Sequence, residues 1–229
     1  MGFYDEWISC INKTENDNFY IKSFLYHSID SIDALEKSSK IDLIRIIDFL
    51  ISYDKNKIIK LIDEDSIKIL NPSDIIQFSN FDKGTVELTH ILIYEKNGLT
   101  FDEIGYKLIG TESDGAAKKY GENHAKVAKG MSLVKFSSEK PYIVTNTNLG
   151  NVFPYLEEET QNKLISILCL RNPLIQNIIA KAKKGIVNYY DEVECIADST
   201  KLRRKQNVKY ILDLALKEIN SDFINNIVF

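Results

Sequence analysis

The sequence has few of the residues that interrupt helices or cross-link a chain. Glycine occurs ten times and proline four times in 229 residues, which favours helices over a turn-rich β-sandwich. The three cysteines are far apart and form no C-x-x-C pair, so neither a zinc site nor a disulfide framework is predicted. No apolar run approaches the ~18 residues needed to cross a bilayer, and no signal peptide is visible. We therefore expect a cytoplasmic protein with no membrane partner.

The charge is distributed unevenly along the chain. The formal net charge is −4, which by itself argues against nucleic-acid binding. Residues 1–82 carry 15 acids and 9 bases, whereas residues 83–229 carry 18 acids and 20 bases. A basic patch on an acidic protein can still bind phosphates, so the second part of the chain stays a candidate for this role.

The apolar pattern predicts a helical N-terminal part that ends near residue 82. Leu43, Ile46 and Leu50 have the i, i+3, i+7 spacing of a buried helical face. Phe81-Asp82-Lys83-Gly84 predicts a break, and we place a domain boundary there. The sequence leaves open whether residues 1–82 are an unrelated helical domain or a divergent copy of the module that follows.

Residues 83–156 predict a helix, a short helix, a longer helix and a β-hairpin, in that order. Thr100-Phe101-Asp102-Glu103 is a capping box for the short helix, and Gly110 ends that helix. Ser113 is predicted to cap the longer helix, over about residues 114–131. This order is typical of a winged helix, in which the third helix enters the DNA major groove and the hairpin contacts the backbone.

The longer helix is predicted to have an apolar face and a basic face. At about 100° per residue, Ala117, His124 and Ala128 fall on the apolar side. We expect lysines of the other face to neutralise phosphates, and an asparagine there to read adenine. The predicted DNA-binding residues of this helix and of the hairpin are Ser113, Lys118, Lys119, Asn123, Lys126, Lys135 and Lys140.

Residues 157–229 predict a second, degraded copy of the module. Its last helix is predicted to be capped by Ser199, to be apolar in its later turns and basic at its start. Several bases near a helix N-terminus oppose the helix dipole, and a bound phosphate would relieve them. We expect Arg203 or Arg204 to read guanine. The predicted DNA-binding residues of this helix are Ser199, Lys201, Arg203, Arg204, Lys205 and Lys209. The predicted fold class is thus mainly α with small β-hairpins, with tandem winged-helix modules after a helical N-terminal part.

Three stretches of the first module resemble the winged-helix modules in the DNA-recognition regions of Type II, especially Type IIS, restriction endonucleases. They are K-K-Y-G-E-N-H-A-K-V-A (118–128), S-L-V-K-F (132–136) and Y-I-V-T-N-T-N-L-G (142–150). Thr147 and Gly150 match the Thr-x-x-Gly helix start of that group.

The second module carries a further match to the same group. S-T-K-L-R-R (199–204) resembles the segment that opens the second recognition helix. The chain departs from the group at Gly130-Met131-Ser132, where an apolar-glycine-apolar step is usual. The resemblance covers about residues 83–217, and it implies sequence-specific recognition of double-stranded DNA in a restriction system.

The sequence predicts no cleavage centre. No glutamate has a lysine two residues later, as a PD-(D/E)xK nuclease needs beside its Mg²⁺. His124-Ala125-Lys126 begins a phospholipase-type motif, but Met131 occupies the position of its aspartate. We therefore expect no catalytic residues, no bound metal and no cofactor in this chain, and Mg²⁺ only with a separate nuclease domain or subunit.

Two other functions stay open at this point. The chain could be a complete small Mg²⁺-dependent nuclease with a dispersed active site, for which the acidic N-terminal part would supply ligands. In the second alternative, the winged helices of this chain would serve as scaffolds for protein contacts, or the chain would be a transcriptional regulator.

Overall fold

The structure is a computed structural model that describes residues 2–13, 18–77, 81–110 and 114–229. Within these ranges the chain is mainly helical and contains two small two-stranded sheets. The predicted mainly α fold class is confirmed at this level. None of the described helices is both long enough and apolar enough to cross a membrane.

Five α-helices form the N-terminal part. The predicted apolar face around Leu43, Ile46 and Leu50 is buried. Ser39 begins the helix that carries this face, because its hydroxyl accepts a hydrogen bond from the Asp42 N–H. The helices are α1 (Phe3–Asn12), α2 (Asn18–Leu25), α3 (Ile29–Lys37), α4 (Lys40–Ser52) and α5 (Lys55–Leu61), and a 3-10 helix follows at Glu64–Ser66.

In the described residues, four helices and a hairpin occupy the middle of the chain. Leu99, which lies before the second of these helices, pairs with Val144 through two backbone hydrogen bonds of 3.0 and 2.8 Å. The hairpin strands are antiparallel, with Lys135 opposite Thr145. The elements are α6 (Phe81–Tyr94), α7 (Phe101–Ile109), α8 (Asp114–Gly130), β1 (Val134–Phe136), β2 (Val144–Asn146) and α9 (Asn148–Val152).

The local signals that fall on described residues of this region are confirmed with one exception, and the predicted Ser113 cap lies outside those residues. Thr100 and Glu103 form the capping box of α7, and Gly110 ends α7 in a left-handed conformation with φ 63°. The Thr147 hydroxyl caps α9 by accepting from the Gly150 N–H. The break predicted at Phe81–Gly84 is wrong, because these residues begin α6. Gly84 is required there by packing, since a Cβ would overlap the His124 ring.

Helices α7 and α8 cross at very close range. A Cβ at Gly105 would overlap the Ala117 carbonyl, and a Cβ at Gly121 would overlap the Phe101 carbonyl. The two helix backbones therefore touch at Gly105 and Gly121, where the absence of a side chain allows the close approach and fixes how α8 is held on the rest of the protein.

The C-terminal part contains four more helices. One of its predicted features needs correction. The Ser199 hydroxyl is not the cap of the last helix, because the N-cap is Ala197, two residues earlier. The last residues of the chain form a short strand that pairs in parallel with a strand preceding the last two helices. The elements are α10 (Glu158–Cys169), α11 (Pro173–Ala182), β3 (Val187–Asn188), α12 (Tyr189–Glu192), α13 (Asp198–Ala215) and β4 (Ile227–Val228).

One apolar core joins all three predicted segments. Its buried side chains run from Trp7 to Phe223. Helix α4 packs against both α9 and α10, and α10 packs against α13. The N-terminal helices therefore support the elements that carry the predicted basic faces.

Candidate nucleic-acid interface

The predicted basic face of α8 is present on the surface. The side chains of Lys118, Lys119 and Lys126 are 62%, 56% and 49% exposed. Lys129 is also exposed and lies in the last turn of α8, where its ammonium is 4.6 Å from the centre of the Phe136 ring. Because Phe136 belongs to β1, the C-terminal end of the basic face of α8 lies against the hairpin.

Three of the lysines on α8 make ion pairs. Glu122 accepts from Lys126 at 2.5 Å and from Lys119 at 3.1 Å. The hydrogen bond from Lys126, together with that from Lys119, lowers the pKa of Glu122. Lys118 lies 3.6 Å from Asp102 on α7. The Asp102 side chain is 46% exposed and that of Glu122 is 24% exposed, while all three lysines are solvent-accessible, so these pairs contribute little stability.

The two predicted hairpin lysines have different surroundings. The ammonium of Lys135 donates to Glu36 on α3 at 2.9 Å, and the same carboxylate accepts from the Asn148 N–H at 3.1 Å. Lys140 is exposed at the turn, 5.9 Å from the centre of the Tyr142 ring. The acidic N-terminal part thus reaches one hairpin lysine and leaves the other in solvent.

Asn123 is not on the basic face. Its side chain is 6% exposed and lines a cavity beside α8. The helical-wheel estimate placed it outside, but residues 73–77 cover this side of α8. The prediction that Asn123 reads a base edge is therefore corrected: the side chain faces the interior.

The basic residues of α13 divide into exposed and engaged groups. Arg203 and Lys209 are exposed, and Lys205 lies 5.6 Å from the centre of the Tyr190 ring. The side chain of Lys201 is only 14% exposed and pairs with Asp198 at 3.1 Å. Of the predicted basic residues discussed here, three remain candidates for contacts with phosphate: Arg203, Lys205 and Lys209. Ser199 is exposed in the first turn, and Ser113 lies outside the described residues.

Arg204 is a buried structural residue, which corrects its predicted role in reading guanine. It is 8% exposed, and its Nη1 donates to the carbonyl oxygens of Pro72 at 3.0 Å and Ile75 at 2.9 Å. Burial, followed by the nearby charge of Arg203, lowers the pKa of Arg204. The 71–77 segment therefore occupies the side of α13 that Arg204 faces.

A second buried arginine was not predicted. Arg171 is 1% exposed and lies between α10 and α11, where it forms part of the wall of a cavity of about 360 Å³. Its guanidinium stacks on the Phe24 ring at 4.4 Å. An arginine before an Asn-Pro helix start gives no sign of burial in the sequence, because the residues that enclose it come from distant segments.

Comparison of this chain with known proteins gives no match, so the functional assignment rests on the geometry of the site. No family model, no curated protein and no solved structure matches the chain. Within the described ranges, no group of three or more histidine, cysteine, aspartate or glutamate side chains could hold a metal ion.

Proposed function

We propose that the chain binds double-stranded DNA, with α8 and the β1–β2 hairpin as its main contact surface. The observation that carries the proposal is the exposed lysine face of α8, whose C-terminal end lies against the hairpin at Phe136. A helix in the major groove beside a hairpin on the backbone is the docking geometry of winged helices.

The arrangement of elements supports a winged-helix interpretation of the first module. Helix α6 is followed by the Leu99 bridge to Val144, then by α7, α8 and the hairpin. In this interpretation Leu99 is the short first strand, and α8 is the helix offered to DNA. The second module is a weaker copy, because no hairpin follows α13 in the part of the chain that the structure describes.

The predicted DNA-binding residues that are exposed favour contacts to phosphate over contacts to bases. Lys118, Lys119 and Lys129 are placed to neutralise phosphates, which contributes affinity without sequence information. Arg203 is the remaining arginine that can reach a guanine from the start of α13. Sequence specificity would then come mainly from α13, and cleavage in a restriction system from a separate domain or subunit.

Salt dependence of duplex binding tests this proposal. Replacing Lys118, Lys119 and Lys129 together by glutamine should weaken binding and should reduce the slope of log K against log salt by roughly 0.9 for each lost phosphate contact. A matched triple variant with glutamine at Lys57, Lys60 and Lys96, which are exposed on other elements, should keep the wild-type slope. Fluorescence anisotropy with a labelled duplex measures both.

A selection from randomised duplexes, with and without Mg²⁺, measures specificity and cleavage in the same experiment. Enrichment of one sequence that is lost in Arg203→Ala would support base reading from α13. Equal slopes for the two triple variants, or binding that does not respond to salt, would remove α8 from the interface. Mg²⁺-dependent cleavage by the purified chain would favour the complete-nuclease alternative instead.

A further inference from the structure

The cavity beside α8 is lined by distant parts of the chain. Its volume is about 360 Å³, and its walls come from α8, from the junction of α10 and α11, from Lys68 and residues 73–77, and from His27 and Ile211. Val127, Met131 and Ile211 give it an apolar side, and Gln77 and Asn123 supply amides. Mostly apolar cavities of this size with a few polar groups are typical of small-molecule sites.

The wall of this cavity contains a buried charge that has no counter-ion among the described residues. The Arg171 guanidinium donates from Nη1 to the Met131 carbonyl at 3.3 Å and from Nη2 to Nδ1 of His27 at 3.0 Å. Its Nε has no hydrogen-bond partner, and no carboxylate of the described residues pairs with it. Buried arginines are normally paired, because an uncompensated charge in the interior is costly.

His27 does not balance this charge. Its Nδ1 accepts from Arg171, and its Nε2 lies 3.3 Å from the Arg171 carbonyl, so the neutral ring with the proton on Nε2 satisfies both contacts. Burial, followed by the charge of Arg171, lowers the pKa of His27 to about 3. Burial also lowers the pKa of Arg171 to about 9, which still leaves the guanidinium charged at neutral pH.

The other charged residues of the wall add to the positive potential. Lys68 is exposed at the cavity and forms no ion pair with the residues that the structure describes. Lys126 also lines the cavity, and it forms an ion pair with Glu122, which does not line it. Asp74 is the single acid among the described lining residues, and its carboxylate accepts from the Asn71 N–H at 2.7 Å. The cavity therefore combines an apolar side with an excess of positive charge.

We propose that this cavity binds a small organic anion, with its carboxylate or phosphate towards Arg171 and Lys68 and its apolar body against Val127 and Met131. The Asn123 amide then serves this ligand instead of a DNA base. The proposal does not depend on DNA binding, because Arg171 and Lys68 lie outside the α8 lysine face.

Titration of the full chain with simple probes tests the proposal. Benzoate and phenyl phosphate carry the two anionic groups on one apolar ring, and benzamide is the neutral control. We expect saturable binding of at least one anion by calorimetry at millimolar concentrations, and none of benzamide. The anion that binds identifies the group, carboxylate or phosphate. Inorganic phosphate that binds as tightly as phenyl phosphate would overturn the organic part of the proposal.

Variants and wild-type spectra locate the site. Lys68→Gln should weaken binding about three- to tenfold, as expected for one lost charge contact, whereas Lys96→Gln, exposed on a loop elsewhere, should not. Arg171→Met should abolish binding. If that variant does not fold, perturbation of the Asn123 side-chain amide and Met131 methyl signals in the wild type gives the same information. No saturable binding of either anion, or binding unchanged in Lys68→Gln with no perturbed Asn123 or Met131 signal, would overturn the proposal.

Discussion

Arg203 and Arg204 are neighbours in the sequence, and α13 turns their side chains to different environments. Arg203 is exposed, whereas Arg204 donates two hydrogen bonds to the carbonyls of the 71–77 segment. Hydrogen bonds from a charged donor to buried acceptors contribute more to stability than neutral ones, and their loss leaves the acceptors unpaired.

We therefore predict different phenotypes for the two alanine variants. Arg204→Ala should lower the free energy of unfolding by roughly 2–3 kcal/mol, because it removes two charge-assisted hydrogen bonds and leaves the buried Ile75 carbonyl without this partner. Arg203→Ala should change it by less than about 0.5 kcal/mol, as for an exposed residue. Urea denaturation measures both. Equal stability of the two variants would show that Arg204 does not anchor the 71–77 segment.

Buried histidines make a second prediction at the residue scale. Burial lowers the pKa of His124 to about 4 from its ordinary value of 6.5. Between these values the unfolded chain binds a proton that the folded chain does not, so His124 makes stability fall as the pH falls through this window. The contribution to the slope approaches roughly 1.4 kcal/mol per pH unit in the middle of the window.

The measurement is the free energy of unfolding at several pH values from neutral to weakly acidic. His124→Gln should lose less stability on acidification than the wild type, although it is less stable at neutral pH. His90→Gln, which replaces an exposed histidine by the same residue, is the matched control. The same dependence in His124→Gln as in the wild type would contradict a neutral, buried His124.

The sequence predicts caps well and buried charge poorly, for one physical reason. The capping box of Thr100 and the Thr147 cap join atoms three residues apart, so the local sequence contains both partners. Arg204 bonds to carbonyls more than a hundred residues away in sequence, and residues of the same distant segment line the cavity beside Asn123. Periodicity places a side chain on a face, but it does not show what covers that face.

At the scale of elements, the α7–α8 pair depends on two glycines. The backbone contacts at Gly105 and Gly121 set the depth at which α8 sits, and this depth determines which α8 side chains are exposed. Gly115, in the first turns of α8, is exposed and has open space around it. One helix therefore contains a glycine required by packing and a glycine that packing does not require.

These two glycines should respond in opposite directions to alanine. Gly121→Ala should destabilise the protein by roughly 1–3 kcal/mol, because the added methyl overlaps the Phe101 carbonyl and must push α7 away. Gly115→Ala should stabilise it by up to about 1 kcal/mol, since alanine is the better helix former. Thermal unfolding followed by circular dichroism compares them. A stabilising Gly121→Ala would mean that the two helices do not touch at this point.

Elements with strong local signals are predicted best. The α8 bounds, the hairpin and the buried face of α13 at Val208 and Ile211 follow from periodicity. The parallel pairing of β3 with β4 was not predicted, because two-residue strands about 40 positions apart leave no alternating pattern. The predicted break at Gly84 was wrong because a glycine required by the His124 ring resembles a helix stop.

At the scale of the whole molecule, the N-terminal helices are part of the structure that presents the basic surface. Glu36 on α3 accepts hydrogen bonds from Lys135 and from the backbone at the start of α9. The Lys55 ammonium on α5 donates to Ser166 on α10 at 2.5 Å and to the Lys217 carbonyl at 2.7 Å. Burial lowers the pKa of Lys55 to about 8. The predicted boundary near residue 82 divides the sequence by charge, whereas the apolar core continues across it.

A continuous core predicts that residues 1–82 do not unfold separately from the rest. Trp7 is the single tryptophan of the chain, is fully buried in α1 and stacks on Tyr20 with ring centres 6.2 Å apart. Its fluorescence reports on the N-terminal helices, whereas far-ultraviolet circular dichroism reports on helices throughout the chain. We expect the two signals to give the same urea midpoint and the same m-value, which is the signature of one cooperative transition. A Trp7 transition completed at lower urea than the loss of helix would mean that the contacts of α4 with α9 and α10 contribute too little free energy to couple the segments. The basic surface would then keep its structure after the N-terminal part has unfolded.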